Sequence, residues 1–194
     1  PIAHLDGNSL PVSAFDPRGI VPTDTAKFEK RGIAQSIPQW IKENCIQCNM
    51  CSTICPHGAI KPVLVKKGTK TPKGFVTVFA RGYEDMEYRL QISPLDCTGC
   101  GCCANVCPAL NKALKMSDAL EQIKQEQKNW EWAEKYDNPT EAINKTNIKG
   151  LQFAPCHFGF SGACAGCGET AYIKMVTQLF GDNMIIANAT GCSS

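Results

Sequence analysis

Apolar and polar positions alternate with two different periods along this chain. From Ser117 to Tyr136 the apolar residues Leu120, Ile123, Trp130 and Ala133 recur near helical spacing, which predicts one amphipathic helix. Asp118 and Glu121 form a capping signal at its start. Glu131 and Lys135 are spaced as an i,i+4 ion pair, and Asp137-Asn138-Pro139 ends the helix. A helix carrying two tryptophans and polar opposite faces reads as a packing element, and residues 137–155 read as a linker. A second helix is predicted from about Glu169, with Tyr172, Ile173, Val176, Leu179 and Phe180 as its apolar face and Gly181 as its C-terminal stop. Strand character appears in GFVTVFA (74–80), which is β-branched and aromatic, and in the alternating EYRLQIS (87–93). MIIANA (184–189) reads as a short buried strand.

The 194 residues allow one or two small domains with a real core. With 20 Lys+Arg against 18 Asp+Glu, the chain lacks the basic excess of a nucleic-acid-binding domain. No apolar run reaches the length of a membrane span, and the first residues lack the apolar stretch of a signal peptide. The chain opens at Pro1 and stops just after an apolar run, so a piece of a longer polypeptide is expected.

Cysteine changes the picture, at 13 residues of 194. Nine fall in two short runs whose x2 spacings are too tight for a loop-stapling disulfide framework and instead gather sulfur around metal. A reducing, intracellular setting is therefore expected, with cytoplasm as its default. CIQCNMCSTICP (45–56) and CTGCGCCANVCP (97–108) repeat the spacing C-x2-C-x2-C-x3-C-P. That spacing is the bacterial ferredoxin signature for cubane iron–sulfur clusters, in which the fourth cysteine of each run ligates the other cluster. Cys45, Cys48, Cys51 and Cys107 are thus expected to hold one [4Fe-4S] cluster, and Cys97, Cys100, Cys103 and Cys55 a second. Paired CxxC elements also build zinc sites, although zinc usually takes two CxxC pairs rather than a doubled four-cysteine run with a proline after each. Cys102 lies off the pattern and reads as a packed thiol. Gly99 and Gly101 relieve crowding in the second loop.

AIKPVLV (59–65) and ALNKALKM (109–116) look like matching continuations of the two runs, and the chain resembles ferredoxin domains from about Cys45 to Met116. It departs in length, because 41 residues separate Cys55 from Cys97. The insertion, about 61–94, is expected to form a hairpin packed on the cluster core. Its Lys61, Lys66, Lys67, Lys70 and Lys73 read either as a solvated loop or as a docking surface for an acidic electron carrier.

The last stretch places Cys164 and Cys167 as a CxxC before the second helix, and Cys192 after MIIANA. Taken alone these three thiols fit a third cluster lacking one ligand, a redox dithiol or packed thiols. Cys156 and His157 match no motif. GACAGCGET followed by ANATGCSS, with the lead-in PTDTAKFEKRGIA, is similar to pyruvate:ferredoxin oxidoreductases, and the resemblance covers essentially the whole chain.

The resemblance implies an α+β fold in four parts: a lead-in (1–44), a ferredoxin-like two-cluster domain with a hairpin insertion (45–116), a helix and linker (117–155), and the first elements of an α/β thiamine-diphosphate-binding domain (156–194). It further implies Cys164, Cys167 and Cys192 as three ligands of a cluster beside the thiamine, with Glu169 near that cofactor. Where the family usually has proline after GET, this chain has Ala171. The whole enzyme would oxidise pyruvate with coenzyme A, using thiamine diphosphate and Mg2+, and pass electrons to ferredoxin or flavodoxin. It would do so as a homodimer, in the cytoplasm or in a hydrogenosome-type organelle. The GDG run of a thiamine-diphosphate motif is absent from this chain, so no turnover of pyruvate by the chain alone is expected. A stand-alone ferredoxin-type carrier and a zinc-binding structural module are the rival readings.

Overall fold

Two antiparallel strand pairs frame the two cysteine runs. A computed structural model describes residues 4–139, 141, 143–189 and 191. Strand β1 (Ser36–Trp40) enters the first run, whose exit is the short helix α1 (Met50–Ile54). Strand β2 (Ile60–Lys66) follows, then the two-residue β3 (Val78–Phe79) and β4 (Met86–Ile92). The second run carries α2 (Cys102–Val106) and leads into β5 (Leu114–Asp118). Helix α3 (Ala119–Lys135), the single turn α4 (Ile148–Leu151) and α5 (Thr170–Phe180) complete the chain. Among the described residues no helix is long and apolar enough to cross a membrane.

Strand β1 pairs with β5, Ser36 opposite Asp118 and Trp40 opposite Leu114. Strand β2 pairs with β4 from Ile60–Ile92 to Lys66–Met86, and β3 adds to the far side of β4. The strand after each run thus pairs with the strand before the other. Strands β1 and β5 thus bracket the two runs, from Ser36 to Asp118. Within the stretch 61–94 the long antiparallel pair is β2 with β4. GFVTVFA contributes only Val78 and Phe79.

The run AIKPVLV is nearly continuously apolar because β2 is covered on both sides. Leu64 joins Ile60, Tyr88, Leu90, Ile92, Leu114 and Phe153 around the cysteine loops. Val63 and Val65 point the other way, to Phe75 and Ala133 of α3. β2 is also an edge strand, where Pro62 is tolerated. Asn138 closes that edge: its Oδ1 accepts from Leu64 N at 2.8 Å, and its Nδ2 donates to Pro62 O and Phe153 O at 3.1 and 2.9 Å. The segment expected as a linker is thus built into the core, with Phe153 buried beside Tyr88.

Helix α3 has the expected cap, Asp118 Oδ1 accepting from Glu121 N at 3.1 Å. Glu131 accepts from Gln127 at 3.2 Å, and the ion pairs formed by the described residues do not include one with Lys135. Trp130 and Ala133 are buried while Leu120 faces solvent. The C-terminal carbonyls are capped by Lys61, whose Nζ donates to Ala133 O at 2.6 Å and Tyr136 O at 2.7 Å. Lys61 thereby leaves the docking-surface reading. Lys66, Lys67, Lys70 and Lys73 remain exposed.

Helix α5 is reversed relative to its pattern. Its polar side (Thr170, Lys174, Thr177, Gln178) is buried, whereas Tyr172, Val176, Leu179 and Phe180 are exposed. Gln178 Nε2 donates to Leu151 O and Ala154 O, at 3.3 and 3.1 Å. Gly181 keeps right-handed backbone angles and continues into a 3-10 turn. MIIANA is not a strand: residues 184–189 carry no regular secondary structure, and Ile185 is 99% exposed. Lys174 and Gln178 of α5 bury because they find carbonyls at Ser52, Leu151 and Ala154, and nothing among the described residues covers the apolar ridge.

Candidate metal centres

The two cysteine loops share one backbone shape reached by different chemistry. In the second loop the residues two and four places after the first cysteine are Gly99 and Gly101, at φ +72° and +76°. Gly99 is required twice over, because a Cβ there would come 2.8 Å from Ser36 O. In the first loop the same places hold Gln47 and Asn49, at φ +60° and +61°. Side chains rarely accept this region, and here both are buried, at 3% and 1% exposure. Gln47 Nε2 donates to Phe79 O and its Oε1 accepts from Arg81 N, both at 2.8 Å. Asn49 Nδ2 donates to Lys149 O, and its Oδ1 accepts from the Tyr88 hydroxyl, again at 2.8 Å.

These loops wrap two apolar cavities. Cys45, Cys48, Cys51 and Cys107 line the first, walled by Tyr88, Leu90, Ala113 and Leu114. Cys55, Cys97, Cys100 and Cys103 line the second, walled by Pro56, Ala59 and Ile60. Cys55 caps α1 and Cys107 caps α2, so each short helix carries its final thiol away from its own loop and into the other cavity. Among the described residues no three His, Cys, Asp or Glu side chains converge as a single ion requires. The eight sulfurs ring two cavities instead, an arrangement that suits a multi-iron cluster better than one zinc. Backbone amides reach several of them: Gly99 N to Cys97 Sγ and Ala113 N to Cys107 Sγ, both at 3.4 Å, and the amides of His57 and Ala59 act on the Cys55 thiol. A further cavity, about 220 Å3 between β1, β4 and α3, contains no thiol among its lining residues.

Burial pushes the Cys97 and Cys103 thiols up to about 12, and the Cys51 and Cys55 thiols upward as well. Without a metal ion to stabilise the thiolate, these groups stay protonated. Metal binding must therefore release protons.

Around the second cavity lie residues whose roles no motif announces. His57 is buried, with Nδ1 3.1 Å from Ser161 O, and Phe160 N donates to His57 O at 2.7 Å. Lys30 pairs with Asp96, next to Cys97, at 2.7 Å, and its ammonium lies 4.8 Å from the Phe160 ring centroid. Lys174 is 3% exposed, and its Nζ donates to Ser52 O on α1. Desolvation lowers its ammonium below the ordinary lysine value, opposed by the thiols of Cys156, Cys55 and Cys51.

The third constellation is only partly visible. Cys164 is exposed and Cys167 half-buried, with Cys167 N donating to Cys164 O at 3.0 Å. The backbone amides of Thr170 and Glu169, at the start of α5, lower the Cys167 thiol. Glu169 is exposed there, and Cys192 lies outside the described residues. Gly166, at φ +79°, brings this loop against the second run: a Cβ on it would lie 3.6 Å from Cys102 Sγ and 3.8 Å from Cys100 Cβ. Cys102 lines neither cavity. Cys156 donates to Phe158 O at 3.1 Å, and His157 packs against Gly181.

Residues 44–111 match a family described as a 4Fe-4S dicluster domain. Residues 1–34 match one described only as a domain of unknown function. The whole chain is 56% identical to 17% of a pyruvate:ferredoxin oxidoreductase from Moorella thermoacetica. It is 51% identical to 17% of a pyruvate-flavodoxin oxidoreductase from Enterobacter agglomerans. It is also 46% identical to 11% of a mitochondrial pyruvate dehydrogenase [NADP(+)] from Euglena gracilis. The chain thus spans about a sixth of the length of the first two relatives. Along its entire length it is homologous to one segment of the pyruvate:ferredoxin and pyruvate-flavodoxin oxidoreductase family, and a 4Fe-4S dicluster domain lies within that segment.

Proposed function

We propose that this chain is the electron-relaying segment of a 2-oxoacid oxidoreductase, with pyruvate as substrate and ferredoxin or flavodoxin as acceptor. Cys45, Cys48, Cys51 and Cys107 hold one [4Fe-4S] cluster, and Cys97, Cys100, Cys103 and Cys55 hold the second. The observation that carries this reading is the exchange of the fourth thiols between two apolar cavities. When bound, such clusters accept and release single electrons. The chain's own residues keep water from the sulfurs through Tyr88, Leu90, Leu114 and Ile60. They also offer amide hydrogen bonds to Cys97 and Cys107, the kind of contact that tunes potential.

Cys164 and Cys167, with Cys192, supply three ligands of a third cluster, and the fourth comes from elsewhere in the longer polypeptide. The lowered Cys167 thiol supports this role. The contact of the Gly166 loop with Cys100 supports an order in which the third set adjoins the Cys97 cavity, leaving the Cys45 cavity nearest the acceptor. Thiamine diphosphate and Mg2+ belong to the rest of the enzyme, with Glu169 at the boundary of the thiamine site. Coenzyme A is the co-substrate, and the full subunit forms a homodimer in the cytoplasm or a hydrogenosome-type organelle.

Protein prepared without oxygen is expected to carry iron and acid-labile sulfide in equal amounts, roughly eight of each from the two complete sets. Zinc without sulfide overturns the reading. The chain alone is expected not to reduce viologen with pyruvate and coenzyme A.

A further inference from the structure

Lys174 is a buried amine with no carboxylate partner among the described residues. Its Nζ donates to Ser52 O, on α1 between Cys51 and Cys55. An unpaired buried charge is expensive to maintain. A helix with an apolar ridge available has nonetheless turned its lysine inward. Cys55 N donates to that same Ser52 carbonyl at 3.4 Å, so the amine and the Cys55 backbone share one acceptor, and the thiols of Cys156, Cys55 and Cys51 oppose the desolvation of the ammonium. Cys156 donates to Phe158 O, as a neutral thiol does. The other two belong to different cavities, Cys55 to the second and Cys51 to the first.

We propose that Lys174 is the internal counter-ion of the two cysteine sets, a positioning residue that raises their reduction potentials, chiefly that of the set holding Cys55. The inference rests on the iron–sulfur reading above. Four thiolates around a cluster leave the set negatively charged, and each added electron increases that charge. A fixed ammonium beside Cys55 favours the reduced state, and its burial keeps solvent from screening it. Because Lys174 stands on the helix that follows Cys164 and Cys167, the same contact also ties the third cysteine loop to the other two.

The test uses anaerobic, cluster-loaded full-length protein carrying Lys174→Gln, Lys174→Met or Lys174→Arg, with Cys156→Ser as a control. Iron and sulfide content is measured first, followed by an EPR-monitored redox titration. Gln keeps a donor for Ser52 O and loses the charge. At the wild-type midpoint of the Cys55-dependent signal, Lys174→Gln and Lys174→Met should lower the reduced-to-oxidised ratio about tenfold, a shift of about 59 mV for one electron. The other signal should move less. Lys174→Arg should lie within about threefold of wild type, and Cys156→Ser should overlay it. If neither neutral variant loads clusters while Lys174→Arg does, the charge requirement is equally supported. The proposal is overturned if a loaded neutral variant titrates like wild type, if Lys174→Arg shifts or fails to load as the neutral variants do, or if Cys156→Ser produces the same shift. Wild-type protein without sulfide removes the iron–sulfur reading and this inference together.

Discussion

Asn49 stands where the second loop has glycine, so replacing it separates backbone strain from hydrogen bonding. Asn49→Ala leaves the buried Tyr88 hydroxyl without its acceptor, a cost of about 1–3 kcal/mol, and removes the donor to Lys149 O, about 1 kcal/mol more. The left-handed angle of φ +61° adds a further cost for alanine, roughly 1 kcal/mol. Asn49→Ala should therefore destabilise the fold by about 3–5 kcal/mol, and Asn49→Gly by about 1 kcal/mol less, since glycine restores the backbone choice of Gly101. At about 2–4 °C per kcal/mol for a chain of this size, the two melting temperatures should differ by a few degrees, with alanine the lower. Scanning calorimetry at one fixed scan rate reads the order. Gly101→Ala supplies the mirror control. A Cβ there meets nothing within 4 Å, so only the backbone cost of roughly 1–2 kcal/mol should appear. A melting temperature for Asn49→Gly equal to or below that of Asn49→Ala would refute this account of the first loop.

Cys55→Ala should damage the EPR signal of the Cys97, Cys100 and Cys103 set and spare the one held by Cys45, Cys48 and Cys51; loss of the other signal contradicts the exchange of fourth ligands. Lys61→Met should destabilise the end of α3 by about 2–3 kcal/mol, seen as faster amide exchange there, because the donor to two helix carbonyls is gone. It should leave the salt dependence of acceptor reduction unchanged, while charge reversal at Lys66, Lys67 and Lys70 tests whether that exposed stretch docks the acceptor. Metal-free protein should lose stability as pH rises from about 9 towards 12. Over that window the unfolded Cys97 and Cys103 thiols ionise from 9.0 while the folded ones hold their protons to about 12. The thiol contribution is fully present below pH 9, so a urea midpoint that stays flat or climbs between pH 9 and 10.5 contradicts the burial of these thiols.

The cysteine spacing was legible because cluster geometry is local: twelve residues set three sulfurs and the departure of a fourth. The cap of α3 was legible for the same reason, since Asp118 and Glu121 are neighbours. What escaped depends on partners far along the chain. Asn138 looked like a helix stop, yet it closes the edge of β2 by accepting from a backbone amide 74 residues away. Lys61 looked like surface charge and is a helix cap. For α5 the pattern identified an apolar ridge correctly but not what lies against it. Burial followed the donors Lys174 and Gln178, which find carbonyls on α1, in α4 and at Ala154. MIIANA carries strand composition, but no strand partner stands beside it among the described residues.

The unlike chemistry of the two loops also bears on the order of events during translation. Gly99 and Gly101 can reach their left-handed angles as soon as the second loop leaves the ribosome, because glycine populates that region without a distant partner. Gln47 waits for Phe79 and Arg81, and Asn49 waits for Tyr88 and then for Lys149, 100 residues downstream. At about 5–20 residues per second, those 100 residues take roughly 5–20 s to arrive. The loop synthesised first is therefore the one shaped last. In that interval its cysteines are open to premature oxidation or to capture by the wrong ion, whereas the later loop has no such delay.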